Sequence, residues 1–150
     1  MTISTATRSD LGKIFVPTLD SSEGLYVLSR GTATPWLNAT VSAIKKLKEL
    51  QPGWDSYGAK VLDLDSIHAA IELVRELASV VGIVRPQVAA TPNGYVALLW
   101  NWRDSSRDLE LSVLPQGEFQ YCYSDESGES PDHCGVTKHP TEIAVILTKA

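Results

Sequence analysis

The sequence predicts an α+β fold, a two-layer sandwich in which an antiparallel β-meander packs against two or three helices. Three observations carry that expectation. Two segments, near 35–50 and 67–81, repeat apolar residues at helical spacing. Beyond Pro86 the pattern turns extended, in apolar runs separated by turns rich in Pro and Gly. Both helices and at least one strand have a distinct apolar face, and laying the helices across the sheet buries these faces against each other.

The elements follow in chain order. Residues 1–24 are polar and turn-rich and read as a loosely held arm with a short strand at 13–16. Residues 25–150 read as a single domain, opening with a second short strand at 24–28. Thr34 suits the N-cap of the first helix and Pro35 its first position, where a missing N–H costs nothing. Leu37, Val41, Ile44 and Leu47 share a face, and Gln51-Pro52-Gly53 ends the helix. Asp63, Asp65 or Ser66 caps the second helix. Its stripe is Ile67, Ala70, Ile71, Val74, Leu77, Ala78 and Val81, and Gly82 follows as a left-handed terminator.

Val88-Ala89-Ala90 begins the extended region, and Thr91-Pro92-Asn93-Gly94 makes its first turn. In the strand 95–102, Val96, Leu98, Trp100 and Trp102 alternate with Tyr95, Ala97, Leu99 and Asn101. Both faces are apolar, which suits a central strand or one covered by a partner. Next, Leu109, Leu111 and Val113 alternate with Asp108, Glu110 and Ser112, and the latter face reads as wet. Leu114-Pro115-Gln116-Gly117-Glu118 is a hairpin turn leading into Phe119, Tyr121 and Tyr123. Residues 124–133 are acidic and loop-like. The C-terminal segment from Pro140 reads as a short helix, although its β-branched run also suits a strand.

Composition narrows the function classes. Of 150 residues, 43% are hydrophobic and 21% charged, as in a globular domain. The longest apolar stretch is too short to span a bilayer, and the first residues lack a secretory h-region. Two cysteines are too few for a disulfide scaffold, so the expected location is cytoplasmic. Net charge is −5, with +2 in residues 1–60 and −7 in 61–150. That balance argues against nucleic-acid binding, and Lys45, Lys46 and Lys48 read as a solvated helix face.

The most distinctive segment is Gly53-Trp54-Asp55-Ser56-Tyr57-Gly58-Ala59-Lys60. Two bulky aromatics between glycines call for a shaped, packed loop. In one reading Asp55 binds a cation or a donor beside an aromatic wall of Trp54 and Tyr57. In the other Asp55 bonds backbone N–H groups and the aromatics plug the gap between helices and sheet. Cys122, Asp132, His133, Cys134 and His139 include zinc-ligand types, but their spacing is irregular. Neither a metal nor a Cys122–Cys134 redox pairing is expected. His68 and Glu72 stand one helical turn apart and read as a surface pair. No phosphate loop, zinc-protease motif or nucleophile elbow occurs, so no catalytic residue, metal or cofactor is assigned.

The 52–59 string, a helix, and Thr91-Pro92-Asn93-Gly94 leading into an apolar strand ending in Trp together resemble a set of small uncharacterised bacterial proteins. Those proteins carry a Pro-Gly-Trp-Asp-(small)-(Tyr or Glu)-Gly-Ala segment, then a helix and a β-meander. The resemblance covers residues 47–123. It implies an accessory protein of mobile elements, defence systems or toxin–antitoxin pairs and assigns no catalytic residue. The expected function is a non-enzymatic protein-interaction or regulatory module, antitoxin-like, with a protein partner, basic in character, or a second copy of the chain. Its expected contact residues are Trp54, Asp55, Tyr57, Trp100 and Trp102, the last two reading either as the heart of the core or as anchors on an exposed sheet face, with Asp125, Glu126 and Glu129 steering the partner. The rival expectation is a small-molecule-binding protein or hydrolase with a pocket at the Trp54–Tyr57 corner.

Overall fold

The extended runs pair into one five-stranded antiparallel sheet whose spatial order follows the chain: β1 (Gln87–Ala90), β2 (Val96–Trp102), β3 (Arg107–Val113), β4 (Phe119–Asp125) and β5 (His133–Thr137). A computed structural model describes residues 35–102, 106–128 and 132–149 of the chain. Expectations placed on the arm 1–24, the strands at 13–16 and 24–28, the Thr34 cap and Glu129 lie outside those residues. Among the described residues three helices accompany the sheet: α1 (Leu37–Lys46), continued by a 3₁₀ turn over Leu47–Glu49, α2 (Leu64–Ala78) and α3 (Pro140–Lys149). The α+β meander is thus the observed fold. Among the described residues no helix is long and apolar enough to cross a membrane.

Turn chemistry sets the meander. At the β1–β2 turn, the Gly94 N–H donates to the Thr91 carbonyl (2.9 Å) and the Thr91 N–H to the Tyr95 carbonyl (2.9 Å). The β3–β4 turn repeats this pattern: Gly117 N–H donates to Leu114 O (3.0 Å) and Leu114 N–H to Glu118 O (2.9 Å). Each turn closes on a glycine with positive φ, +88° at Gly94 and +84° at Gly117. This is the three-residue hairpin loop that ends in a left-handed residue.

One sheet face meets the helices. It carries Val88, Ala90, Val96, Leu98, Trp100, Leu109, Leu111, Val113, Phe119 and Tyr123, all within the main core. On α2 the buried residues are Ser66, Ile67, Ala70, Ile71, Leu73, Val74 and Leu77. Its large aliphatic side chains each contribute about 1.5–3 kcal/mol by leaving water. Leu73 broadens the expected stripe. Val81 falls off it, almost fully exposed, because the helix ends at Ala78 rather than a turn later. The Asp63 carboxylate caps α2 by accepting from the Asp65 N–H (2.8 Å). Ser66 does other work. Its buried hydroxyl donates to Val113 O (2.5 Å) and accepts from Val96 N–H (2.9 Å), tying the start of α2 to β3 and β2.

Helix α1 turns Ala39, Thr40, Ala43 and Ile44 inward, and Leu47 of the following 3₁₀ turn is buried as well. Leu37 and Val41 pack at its margin, so the buried face is rotated from the expected one. Trp36 sets that rotation. It lies in the core at the start of the helix and donates from its indole nitrogen to Ile83 O (3.3 Å). The C-terminal segment is helical, with Ile143 and Leu147 buried, and α3 packs on α2.

The second sheet face corrects the sequence reading. Asp108, Glu110 and Ser112 are buried rather than wet. They lie on β3, the middle strand, with side chains of both neighbouring strands beside them. Asn101, Leu99 and Ala97 flank these residues from β2, and Ser124, Cys122 and Gln120 flank them from β4. Asp108 and Glu110 each have an interaction partner within the protein. Ala89, Ala97 and Leu99 form a small second apolar cluster on this face.

Candidate functional site

The 53–60 loop is a closed, internally bonded structure. Gly53 N–H donates to Ala59 O (2.7 Å), which draws the two ends of the loop together. Ser56 N–H donates to Gly53 O (2.8 Å), and Trp54 N–H to Gln51 O (3.1 Å). Inside the ring, the buried Asp55 Oδ1 accepts from two backbone donors, Tyr57 N–H (2.8 Å) and Ala59 N–H (2.9 Å). A carboxylate that gathers backbone N–H groups is an organiser of turns. Gly53, Ser56 and Gly58 all have positive φ, +75°, +67° and +87°. Ser56 is the costly one, because a side chain disfavours that conformation; the bonds around it hold it there.

This geometry separates the two aromatics. Trp54 leans on the core, half-buried, and its indole nitrogen donates to Lys60 O (3.2 Å). Tyr57 points the other way and is 78% exposed. The left-handed Ser56 between them reverses the chain's direction, so they form neither a shared wall nor a shared plug. Trp54 alone is the plug.

Beyond the loop the chain is fastened to the β1–β2 turn. Lys60 N–H donates to Pro92 O (2.9 Å) and Asp63 N–H to Gly94 O (2.8 Å). Gly94 is required at this crossing. A Cβ there would stand 2.5 Å from the Val61 carbonyl oxygen. The fastened stretch carries two further exposed apolar side chains, Val61 and Leu64. With Tyr57 they form an apolar series within residues 57–64, on backbone held at both ends. Sequence reading missed Val61 and Leu64. Their only signal was position, next to an unusual loop and off the helical stripe.

The other expected contact residues separate by burial. Trp100 is 1% exposed, and its indole nitrogen donates to Val84 O (2.9 Å). It belongs to the core because it lies on the sheet face that meets the helices, so it is no surface anchor. Trp102, at the end of the same strand, is half-buried against the core. Asp125 is also removed from the expected steering group. Its buried carboxylate accepts from the N–H (2.9 Å) and hydroxyl (2.5 Å) of Ser127 and lies 3.5 Å from Arg107 Nε. It shapes the β4–β5 turn, where Asp132 Oδ1 in turn accepts from the Asp125 N–H (2.9 Å). Glu126 remains exposed.

Cys122 and Cys134 overturn an expectation. They sit directly opposite one another on β4 and β5, with Cα atoms 4.0 Å apart, and are joined in a disulfide. Eleven intervening residues made them look remote in sequence, but a hairpin between two strands brings them together. No group of three or more metal-ligating side chains occurs among the described residues. His133 instead packs by its ring against Tyr121 (5.7 Å between centroids) and Tyr123 (5.9 Å). His68 and Glu72 are both exposed on α2. Lys45, Lys46 and Lys48 are exposed as well, a solvated face. Comparison with protein-family models, with curated proteins and with solved structures finds no match to this chain.

Proposed function

We propose that this protein is a non-enzymatic interaction module whose docking element is the apolar series Tyr57, Val61 and Leu64. The observation that carries the reading is the pairing of a pinned loop with an outward tyrosine. The loop spends a buried carboxylate and three left-handed residues on its own shape, while Tyr57 is 78% exposed at its tip. A rigid aromatic on ordered backbone loses little conformational entropy on binding, and tyrosine is enriched among the residues that dominate interfaces.

The partner is a protein. Net charge of −5 and exposed acids such as Glu126 favour a basic one by long-range attraction. An antitoxin-like or regulatory accessory role fits that reading. The rival, a pocket built on Asp55, has no comparable support, because Asp55 Oδ1 is turned to the loop's own backbone.

The test compares capture from the native host by three tagged forms: the natural chain, Tyr57→Ala, and Val81→Ala. Val81, 94% exposed beyond α2, serves as the control. The expected result is one partner recovered by the natural chain and by Val81→Ala and reduced at least about tenfold with Tyr57→Ala. Thermal stability of Tyr57→Ala should stay within about 0.5 kcal/mol of the natural chain. Equal recovery by all three forms would refute the docking element. A chain that recovers nothing and stays monomeric would refute the module.

A further inference from the structure

We propose that the Cys122–Cys134 disulfide is a reversible redox clamp. A dithiol reductant opens it and frees β5 from the edge of the sheet while the rest of the fold stays closed. The inference does not depend on the docking reading, since the bond lies on a different part of the chain.

Three observations support it. First, the bond joins two strands at directly opposed positions, so it holds one rung of the β4–β5 ladder covalently. Second, little else holds that strand. Of the five residues of β5 only Thr137 is buried, Gly135 offers no side chain, and Val136 is 59% exposed. Edge segments with so few buried apolar groups are the ones that open locally at low cost. Third, the bond can be reached. Cys134 is exposed and Cys122 half-buried, whereas inert structural sulfurs are buried.

The rest of the molecule has its own support. β2 and β3 are locked to α2 through Ser66 and the core, and α3 keeps Ile143 and Leu147 buried after β5 ends. Opening therefore starts at the His133 end, where the ring contacts with Tyr121 and Tyr123 separate, and stops near Thr137.

The chemistry is thiol–disulfide exchange. A thiolate of the reductant attacks Sγ of Cys134, which sits on the more exposed of the two residues. The Sγ–Sγ bond breaks, Cys122 leaves as a thiolate and takes up a proton. The reductant's second thiol then displaces Cys134 from the mixed disulfide. Two electrons and two protons pass to the protein, giving two thiols, and the reductant becomes a disulfide. Oxidised glutathione, in two exchange steps, reverses the change.

Hydrogen exchange with mass spectrometry on the full chain tests this, in the oxidised form, after dithiothreitol without denaturant, and after reoxidation by glutathione disulfide. Iodoacetamide labelling follows the thiols throughout. The expected result is a rise of roughly tenfold or more in exchange at 119–125 and 133–137 on reduction, with α2, β2 and β3 unchanged, reversed on reoxidation. Cys134→Ser should match the reduced form and ignore the reductant. Unchanged exchange would make the bond passive, and faster exchange across α2 and β2 would make it a global staple. Cysteines that resist dithiothreitol, or that stay free in the presence of glutathione disulfide, would also overturn the proposal. So would a Cys134→Ser chain with the protection of the oxidised form.

Discussion

The sheet's centre and its far edge are held together by different physics. In β2 and β3 nearly every side chain is buried, on both faces, and a buried serine hydroxyl bonds both strands to α2. In β5 one residue of five is buried, and a disulfide and a tyrosine lying over a glycine stand in for packing. The first arrangement spreads stabilisation over many contacts. The second concentrates it in one bond. A change at the centre should therefore be felt by the whole fold, and a change at the edge only locally.

The largest effect should come from Trp100→Ala. The side chain is among the largest fully buried groups, and its removal also strands the Val84 carbonyl. A loss of about 3–5 kcal/mol is expected, read as a shift in the urea midpoint of the whole transition. A loss under about 1 kcal/mol would mean that the centre of the sheet is not where stability resides.

Next in size is Gly94→Ala. The backbone here has φ of +88°, and the new Cβ would meet a backbone carbonyl oxygen at 2.5 Å. Neither the turn nor the 60–63 stretch fastened to it can yield cheaply. A cost of about 1–3 kcal/mol is expected in the same measurement. The substitution should also speed hydrogen exchange at Lys60 and Asp63, whose N–H groups bond to this turn. If exchange there is unchanged, the docking loop is not braced by the hairpin.

This contrast was only half legible in the sequence. Helix α2 and the two glycine-closed hairpins could be read in advance because their signals are local: a capping aspartate, a helical apolar period, Asn-Gly and Gln-Gly turns. Strand β5 could not. His133-Cys134-Gly135-Val136-Thr137 has no apolar alternation, because pairing and the disulfide hold it rather than burial. Alternation at Asp108, Glu110 and Ser112 correctly placed them opposite Leu109 and Leu111. It could not reveal that this face is buried as well, because alternation marks which residues share a face and not what lies over it. The 53–60 loop stood out as unusual. Which of its aromatics turned inward depended on one left-handed backbone at Ser56, and composition does not encode that.

The smallest effect should come from Gly135→Ala, although on distance alone it looks as crowded as Gly94. A Cβ at Gly135 would stand 2.7 Å from Tyr121 Oη and 2.9 Å from its Cζ. Those atoms are the far end of a half-buried side chain, which can swing toward solvent, whereas the carbonyl beside Gly94 is backbone. Alanine also costs less conformational entropy in a strand than glycine, by about 0.5–1 kcal/mol, which offsets the lost cover of the ring. The net change should lie within about 0.5 kcal/mol of zero. Because the Tyr121 ring meets the His133 ring edge-on, its displacement should appear as a shift of the His133 ring proton resonances even while stability holds. A cost matching that of Gly94→Ala would show that β5 resists an added side chain as firmly as the braced β1–β2 turn, and the edge would then have no need of a covalent clamp.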